Sequence, residues 1–499
     1  MDALTIITLG IYMAGMLAIG YWSYRKTKTL DGYMLGDRDL GPAVTALSAG
    51  ASDMSGWMVM GLPGAFYALG MSQVWLPVGL SIGAYINYLV VASRLRVYTE
   101  IADNAITVPD YLENRFADKS RILRVISGLF ILIFFAVYAA SGLVAGGKLF
   151  ESAFGASYHT GLFVTLAVIV AYTLFGGFLA VSTTDFVQGC IMFVALVLVP
   201  IVVFTNIGGD ISLAEELRKI GEATDVNMLN IFTGGTFLSI LGLLAWGLGY
   251  FGQPHIIVRF MAIRDVKEMK IARRINIGWM VVGLAGAGAT GILGAVYFAN
   301  HGGALPDPET VLIDFAAVLF HPIITGFILA AILAAIMSTV SSQLLVTSSA
   351  ITEDFYRKFF RRDASDKELV LIGRLAVLAV GLIAAWIAFG NNQTVLGIVS
   401  HAWAGFGATF GAVILVSLHW KQMTQKGAIA GVVTGGLTVI LWLSLGWDAK
   451  FPGLNEGIYE IIPGFLLSLL AIYVVSKATT QPDEKIKVKF DEMEQRIKS

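Results

Sequence analysis

Three stretches of the chain combine residue types able to hold an ion or a small polar molecule inside an otherwise apolar sequence. The first is SAGASDMSGW, residues 48–57, with Gly50, Gly56, three serines and Asp53, the only acid between residues 40 and 99. A charge near the middle of a bilayer costs about 2.5–3.5 kcal/mol even on a lenient insertion scale, so Asp53 either serves a function there or is protonated or capped. The second is WGLGYFGQPH, residues 246–255, in which three glycines and Pro254 stand among large aromatics, Trp246 and Tyr250. That composition argues against regular helix and reads as a break, or as a kinked helix end with interfacial aromatics. The third, AILAAIMSTVSSQ, residues 331–343, gathers Ser338, Thr339, Ser341 and Ser342 on a helix of small residues. Such hydroxyls serve helix packing in membranes. Beside carbonyls freed by a nearby break they also offer the oxygen ligands that a hard cation such as sodium prefers.

These residues need elements that cross a bilayer to position them. Of 499 residues, 56% are hydrophobic and 14% charged, with 55 glycines and a mean hydropathy of +0.74, far too apolar for a soluble surface. Windows free of Asp, Glu, Lys and Arg run over residues 3–24, 40–93 (interrupted by Asp53), 125–147, 159–184, 186–209, 226–258, 275–306, 315–352, 375–420, 427–447 and 461–476. A span takes roughly 20 apolar residues, and the windows 40–93 and 375–420 each hold two spans, with turns at 70–73 and 390–394. The pattern predicts an all-α membrane protein of thirteen transmembrane helices. With the N-terminus outside, only Lys148, Arg218, Lys219 and Lys450 of the 34 basic residues fall outside, and the remaining thirty face the cytoplasm with the C-terminus. A wrong span count would scramble that sorting. The two breaks then lie in the second and seventh spans. Interrupted helices at matching positions five spans apart are the mark of a secondary transporter built from two inverted halves, which would bring the breaks face to face near the midplane.

Other chemistry finds little support. The net charge of −1 gives no case for nucleic-acid binding, and no segment marks an obligatory protein partner. The lone Cys190 excludes disulfides within the chain and thiolate metal sites. GLVAGGK, residues 142–148, lacks the Ser or Thr that a phosphate-binding loop requires, since Leu149 follows, and the six histidines have no metal-binding spacing. No nucleophile elbow appears, so the chain does not read as an enzyme. Asp185, placed between the fifth and sixth spans near the cytoplasmic face, either lines an ion exit route or caps a helix. Ser212 and Glu215 in the long outer loop have the spacing of a capping box and predict a short surface helix. The tail, residues 477–499, is polar and charged and reads as a solvated or disordered end. The first apolar segment is too long for a signal-peptide core and is read as a retained span.

Taken together, SAGASDMSGW, TLFGGFLAVS (residues 173–182), WGLGYFGQPH and AILAAIMSTVSSQLLV resemble the sodium/solute symporter family, and AWAGFGA (402–408) with YEIIPGF (459–465) resembles its proline-transporting bacterial branch. The likeness runs over essentially the whole chain. It implies the leucine-transporter type of fold, with residues 1–39 as an extra first helix and loop, 40–209 (spans 2–6) and 226–420 (spans 7–11) as the five-plus-five inverted repeat, and 427–476 as spans 12 and 13. It also implies sodium-coupled symport of L-proline across a bacterial cytoplasmic membrane, with sodium as the co-transported ion.

Carried over by motif, the sodium ligands are the carbonyls of Ala51, Met54 and Ala335 and the hydroxyls of Ser338 and Thr339, with Asp53 acting directly or from behind them. The proline set is Ser55, Gly56, Trp57, Tyr138, Trp246, Tyr250 and Pro254. Asp185 and Arg38 match positions associated with ion coupling. His401 stands where the resemblance leads one to expect tyrosine. A different solute such as betaine or another amino acid, proton coupling through Asp53, and a non-transporting proline sensor are the competing readings.

Overall fold

A computed structural model describes residues 2–26, 30–207, 211–232, 236–390 and 393–498. Lys28, counted above on the cytoplasmic side, and residues 391 and 392 of the turn expected at 390–394 lie outside the described residues. Among the described residues the regular structure is helical, apart from one isolated parallel bridge between Leu40 and Ile263. Ten helices are long and apolar enough to cross a membrane. One of them, Trp57–Ile101, has 45 residues and contains a 3-10 turn, Gly70–Val74, where a turn was expected. Two shorter apolar helices, Tyr158–Ala171 and Phe237–Gly252, accompany them.

Hydroxyl side chains start several of the helices, as helix ends with unpaired amides require. Ser157 accepts from the amide of Thr160, Thr236 from Ser239, Thr394 from Gly397 and Thr424 from Gly427. Large apolar side chains such as Ile11, Leu382, Trp386 and Leu466 are exposed on the outside. In water they would form an aggregating patch, but hydrocarbon is their proper solvent, and helices satisfy every backbone group internally. The three stretches singled out above are the reverse. Residues 45–64, 249–263 and 328–345 are buried without interruption. The Pro42–Asp53 helix packs against Tyr158–Asn206, Met269–His301, Pro254–Ala262 and Pro322–Ser349, so both breaks and the hydroxyl-rich helix share one core.

Three expectations are corrected. The turn between the fifth and sixth spans is not at Asp185: the range Tyr158–Asn206 is two helices that meet at Gly177, where the backbone is non-helical (φ 60°, ψ −160°), and Asp185 lies within the second of them. A charge was used as a boundary where glycine, free to adopt positive φ, makes the turn. Arg259, assigned to a cytoplasmic loop, is fully buried in Pro254–Ala262. The tail is not a solvated end, because Glu484–Lys498 is a helix docked on Ser93–Ile101, burying Phe490 and Met493. The surface helix of the outer loop is present as Leu213–Thr224, but Ser212 caps it without a side-chain hydrogen bond.

Candidate ion and substrate site

The first break releases carbonyls. Helix Pro42–Asp53 ends where Met54 leaves helical geometry (φ −84°, ψ 81°), and its amide still reaches Gly50 O. The next amide, Ser55, turns to Asp53 O at 3.0 Å instead of Ala51 O, the partner a regular helix would give it. Ala51 O is therefore free, and two hydroxyls from Pro322–Ser349 take it: Ser338 Oγ at 2.7 Å and Thr339 Oγ1 at 3.3 Å. Ser338 Oγ also lies 3.1 Å from Ala335 O. Four oxygens from two helices thus converge in a fully buried spot, with Met54 immediately beyond on the break.

Asp53 O is the second released carbonyl. It accepts from Trp57 Nε1 at 3.0 Å and from the Tyr138 hydroxyl at 3.3 Å. The Asp53 carboxylate faces the other break: Tyr250 donates to its Oδ2 at 2.5 Å, and Oδ1 is buried with no hydrogen-bond partner. Ser55 Oγ accepts from the amide of Trp57, where the chain resumes its helix after Gly56.

The second break is a 3-10 segment, Trp246–Gly252, followed by a helix that Pro254 opens. The ring of Trp246 lies 6.3 Å from that of Trp57 across the two breaks. Tyr138, Trp57, Trp246 and Tyr250 are all buried, as are Ser55, Gly56 and Pro254. The aromatic rings would enclose an apolar ring with a cationic edge.

Asp185 and Arg38 are not brought together. Asp185 is fully buried, and its Oδ2 accepts from Ser48 Oγ (2.7 Å), Arg259 Nη2 (3.2 Å) and Ser342 Oγ (3.4 Å). It caps no helix. Arg38 donates instead to Met261 O and Ala105 O, both at 2.7 Å, and to Thr99 Oγ1 at 3.1 Å. Both residues nonetheless hold the helix that follows the second break, one through Arg259 and the other through Met261.

Sequence reasoning missed Arg259, which donates to Ser48, Ser342 and His255 O and stacks over Phe178 at 5.2 Å. A lone arginine inside the apolar run HIIVRFMA was the available signal. It also missed His255, buried edge-on to Tyr138 at 5.8 Å, and Trp403, whose Nε1 donates to Trp246 O at 2.7 Å.

With this geometry in view, the comparisons with known proteins are specific. The family model "Sodium:solute symporter family" matches residues 33–435. The chain belongs to this symporter family. Among its relatives, the osmoregulated proline transporter OpuE of Bacillus subtilis is 56% identical over 493 residues, covering 99% of this chain and 98% of the relative. The high-affinity proline transporter PutP of the same organism is 57% identical over 477 residues (96% and 98%). A protein named sodium/proline symporter 2 from Staphylococcus saprophyticus is 52% identical over 500 residues (99% and 96%). The fold is that of a solved sodium-coupled sialic acid symporter, with a TM-score of 0.80 at 19% identity, covering 97% of this chain and 99% of that one. The nucleobase-cation symporter Mhp1 is a more distant structural match, with a TM-score of 0.55 at 14% identity, covering 92% and 98%. Like other members of the symporter family, this chain is a transporter and not an enzyme.

Proposed function

We propose that the protein couples inward sodium movement to uptake of L-proline by alternating access. The observation that carries this reading is the first break itself, where carbonyls two residues apart serve two different surroundings. Ala51 O belongs to the hydroxyls of Ser338 and Thr339, and Asp53 O to the aromatic residues Trp57 and Tyr138. Sodium held by Ala51, Met54, Ala335, Ser338 and Thr339 would fix the break in one shape. That shape presents Ser55, Gly56, Trp57 and Tyr138 toward Trp246, Tyr250 and Pro254, which would hold proline. Asp53 stands between the two sites, joined to the second break through Tyr250. Sodium need only favour the conformation that binds proline better, and by linkage proline then favours sodium equally. The names of the 52–57% identical relatives support both the ion and the solute.

In this reading thirteen helices cross a bacterial cytoplasmic membrane, with the N-terminus outside. Residues 40–209 and 226–420 form the inverted halves, and the break of each half supplies one wall of the site. Asp185 and Arg38 act on the ion's passage indirectly, by clasping the helix after the second break. The test is uptake of labelled proline into liposomes containing only this protein, first with an inward sodium gradient and then with choline in place of sodium. Accumulation that requires sodium supports the proposal. Uptake driven equally by a proton gradient, or sodium-driven uptake of betaine in preference to proline, would replace it.

A further inference from the structure

Two motifs noted in the sequence supply none of the residues expected to hold sodium or proline: residues 402–408, AWAGFGA, and residues 459–465, YEIIPGF. In the structure they meet at Trp246. The Trp403 ring stacks with that of Trp246 at 6.2 Å and 27°, and its Nε1 donates to Trp246 O at 2.7 Å. The Tyr459 ring stacks with Trp246 as well, at 5.7 Å and 27°. Tyr459 is fixed in turn by its hydroxyl, which donates to Ser400 O at 2.9 Å. Its neighbour Glu460 is 1% exposed, and Glu460 Oε1 lies 2.8 Å from His401 Nδ1. Ser400, His401 and Trp403 share the helix Val395–Phe406, whereas Tyr459 and Glu460 precede the last apolar helix, Ile461–Ala478. Trp403 also meets the Tyr250 ring edge-on at 5.1 Å. The approach is close enough that a Cβ at Gly249 would lie 2.0 Å from Trp403 Nε1.

Resting on the proline-site reading, we infer that Tyr459 and Trp403 set the ring size the site accepts, and that the His401–Glu460 contact positions Tyr459 for that task. Trp246 presents its ring toward Trp57, and the room left for a pyrrolidine ring depends on how Trp246 is held. Two stacked rings and one hydrogen bond to its carbonyl hold it, and all come from outside both breaks. Aromatic stacking prefers a narrow range of offsets, so removing either ring lets Trp246 tilt and enlarges the pocket. None of these four residues touches Ala51, Ser338 or Thr339 by hydrogen bond. Ring-size selectivity is therefore separable from the sodium requirement. A difference of one methylene in an apolar pocket changes discrimination by about ten- to 200-fold, which sets the scale of the effect.

The experiment uses the full chain in liposomes and compares proline with its four-membered and six-membered ring homologues, azetidine-2-carboxylate and pipecolate. In Tyr459→Ala the pipecolate-to-proline ratio of kcat/KM rises about tenfold or more, while the half-saturating sodium at saturating substrate stays within about twofold of the unaltered protein. Tyr459→Phe, which keeps the ring, returns the ratio toward the original value. Glu460→Gln raises the proline KM more than it lowers kcat. Trp403→Phe gives a second reading of the ratio if Tyr459→Ala does not insert. An unchanged ratio in a variant that still transports proline overturns this inference and leaves the proline reading standing. If the unaltered protein fails to take up proline in sodium, both fall.

Discussion

The hydroxyls of Ser338 and Thr339 both bond the same freed carbonyl, Ala51 O, and a bound cation would replace those bonds with its own. Removing one ligand oxygen loses an interaction of roughly the strength of a charge-assisted hydrogen bond, about 1.5–3 kcal/mol, or about ten- to 150-fold in affinity. Ser338→Ala and Thr339→Ala should therefore each raise the half-saturating sodium at least about tenfold, measured as proline uptake against sodium concentration. Trp246→Ala and Tyr250→Ala should mainly raise the proline requirement, and the reverse pattern would contradict the assignment of the two breaks. Arg259 makes a different prediction. It and Asp185 are both fully buried, and breaking a buried pair costs about 3–5 kcal/mol because one charge is left uncompensated. Arg259→Gln alone should sharply lower the thermal stability of the purified protein, and adding Asp185→Asn should recover a large part of it. Asp53 was legible in the sequence because the only acid between residues 40 and 99 needs a reason. Arg259 was not, because counting basic residues as loop markers absorbs a buried arginine that lies within a few residues of a basic loop.

The breaks themselves were the most legible elements, since glycine, proline and hydroxyl residues in mid-span leave backbone groups that lipid cannot satisfy. Their bracing was not legible. Gly249 allows the second break to lie against Trp403, a contact formed by residues more than 150 positions apart. Gly249→Ala should raise the proline KM with the protein still inserted, as read by uptake and by detergent-solubilised yield. The docked tail was missed for a related reason. Its charged residues dominate the composition, and only Phe490 and Met493 among them reveal a buried face. Phe490 lies under the Arg115 guanidinium at 5.4 Å and meets Tyr98 edge-on at 6.2 Å. Ion pairs surround it, among them Lys421–Asp491, Arg94–Glu494 and Lys489–Asp103, each exposed enough to contribute about 0–1 kcal/mol. Truncating a buried phenylalanine costs about 3–5 kcal/mol, so the apolar contact decides. Phe490→Ala should make residues 484–498 susceptible to protease, and Lys489→Ala should not.

At the scale of the whole molecule, the two interrupted helices follow from the bilayer as solvent and were readable without coordinates, and the sorting of basic residues is what the proposed orientation rests on. The proposed division into halves was readable only as a spacing of five spans, because helices of residues 40–209 and 226–420 pack on one another along their lengths, as Tyr158–Asn206 does on Pro322–Ser349 and Ile122–Phe154 on Val395–Phe406, and residue spacing does not record which helices meet. The proposed orientation makes its own prediction. In a chain with Cys190→Ser, a cysteine at Ser157 should be labelled by an impermeant maleimide added to whole cells, and one at Lys426 only after permeabilisation. In the proposed mechanism one break links an ion site to a solute site. The most direct test is proline binding by the purified protein, measured as Kd across a range of sodium concentrations, in the unaltered chain and in Ser338→Ala. Sodium should lower the proline Kd, and Ser338→Ala should shift the sodium concentration needed while leaving the Kd at saturating sodium nearly unchanged. A proline Kd that is the same with and without sodium would contradict it.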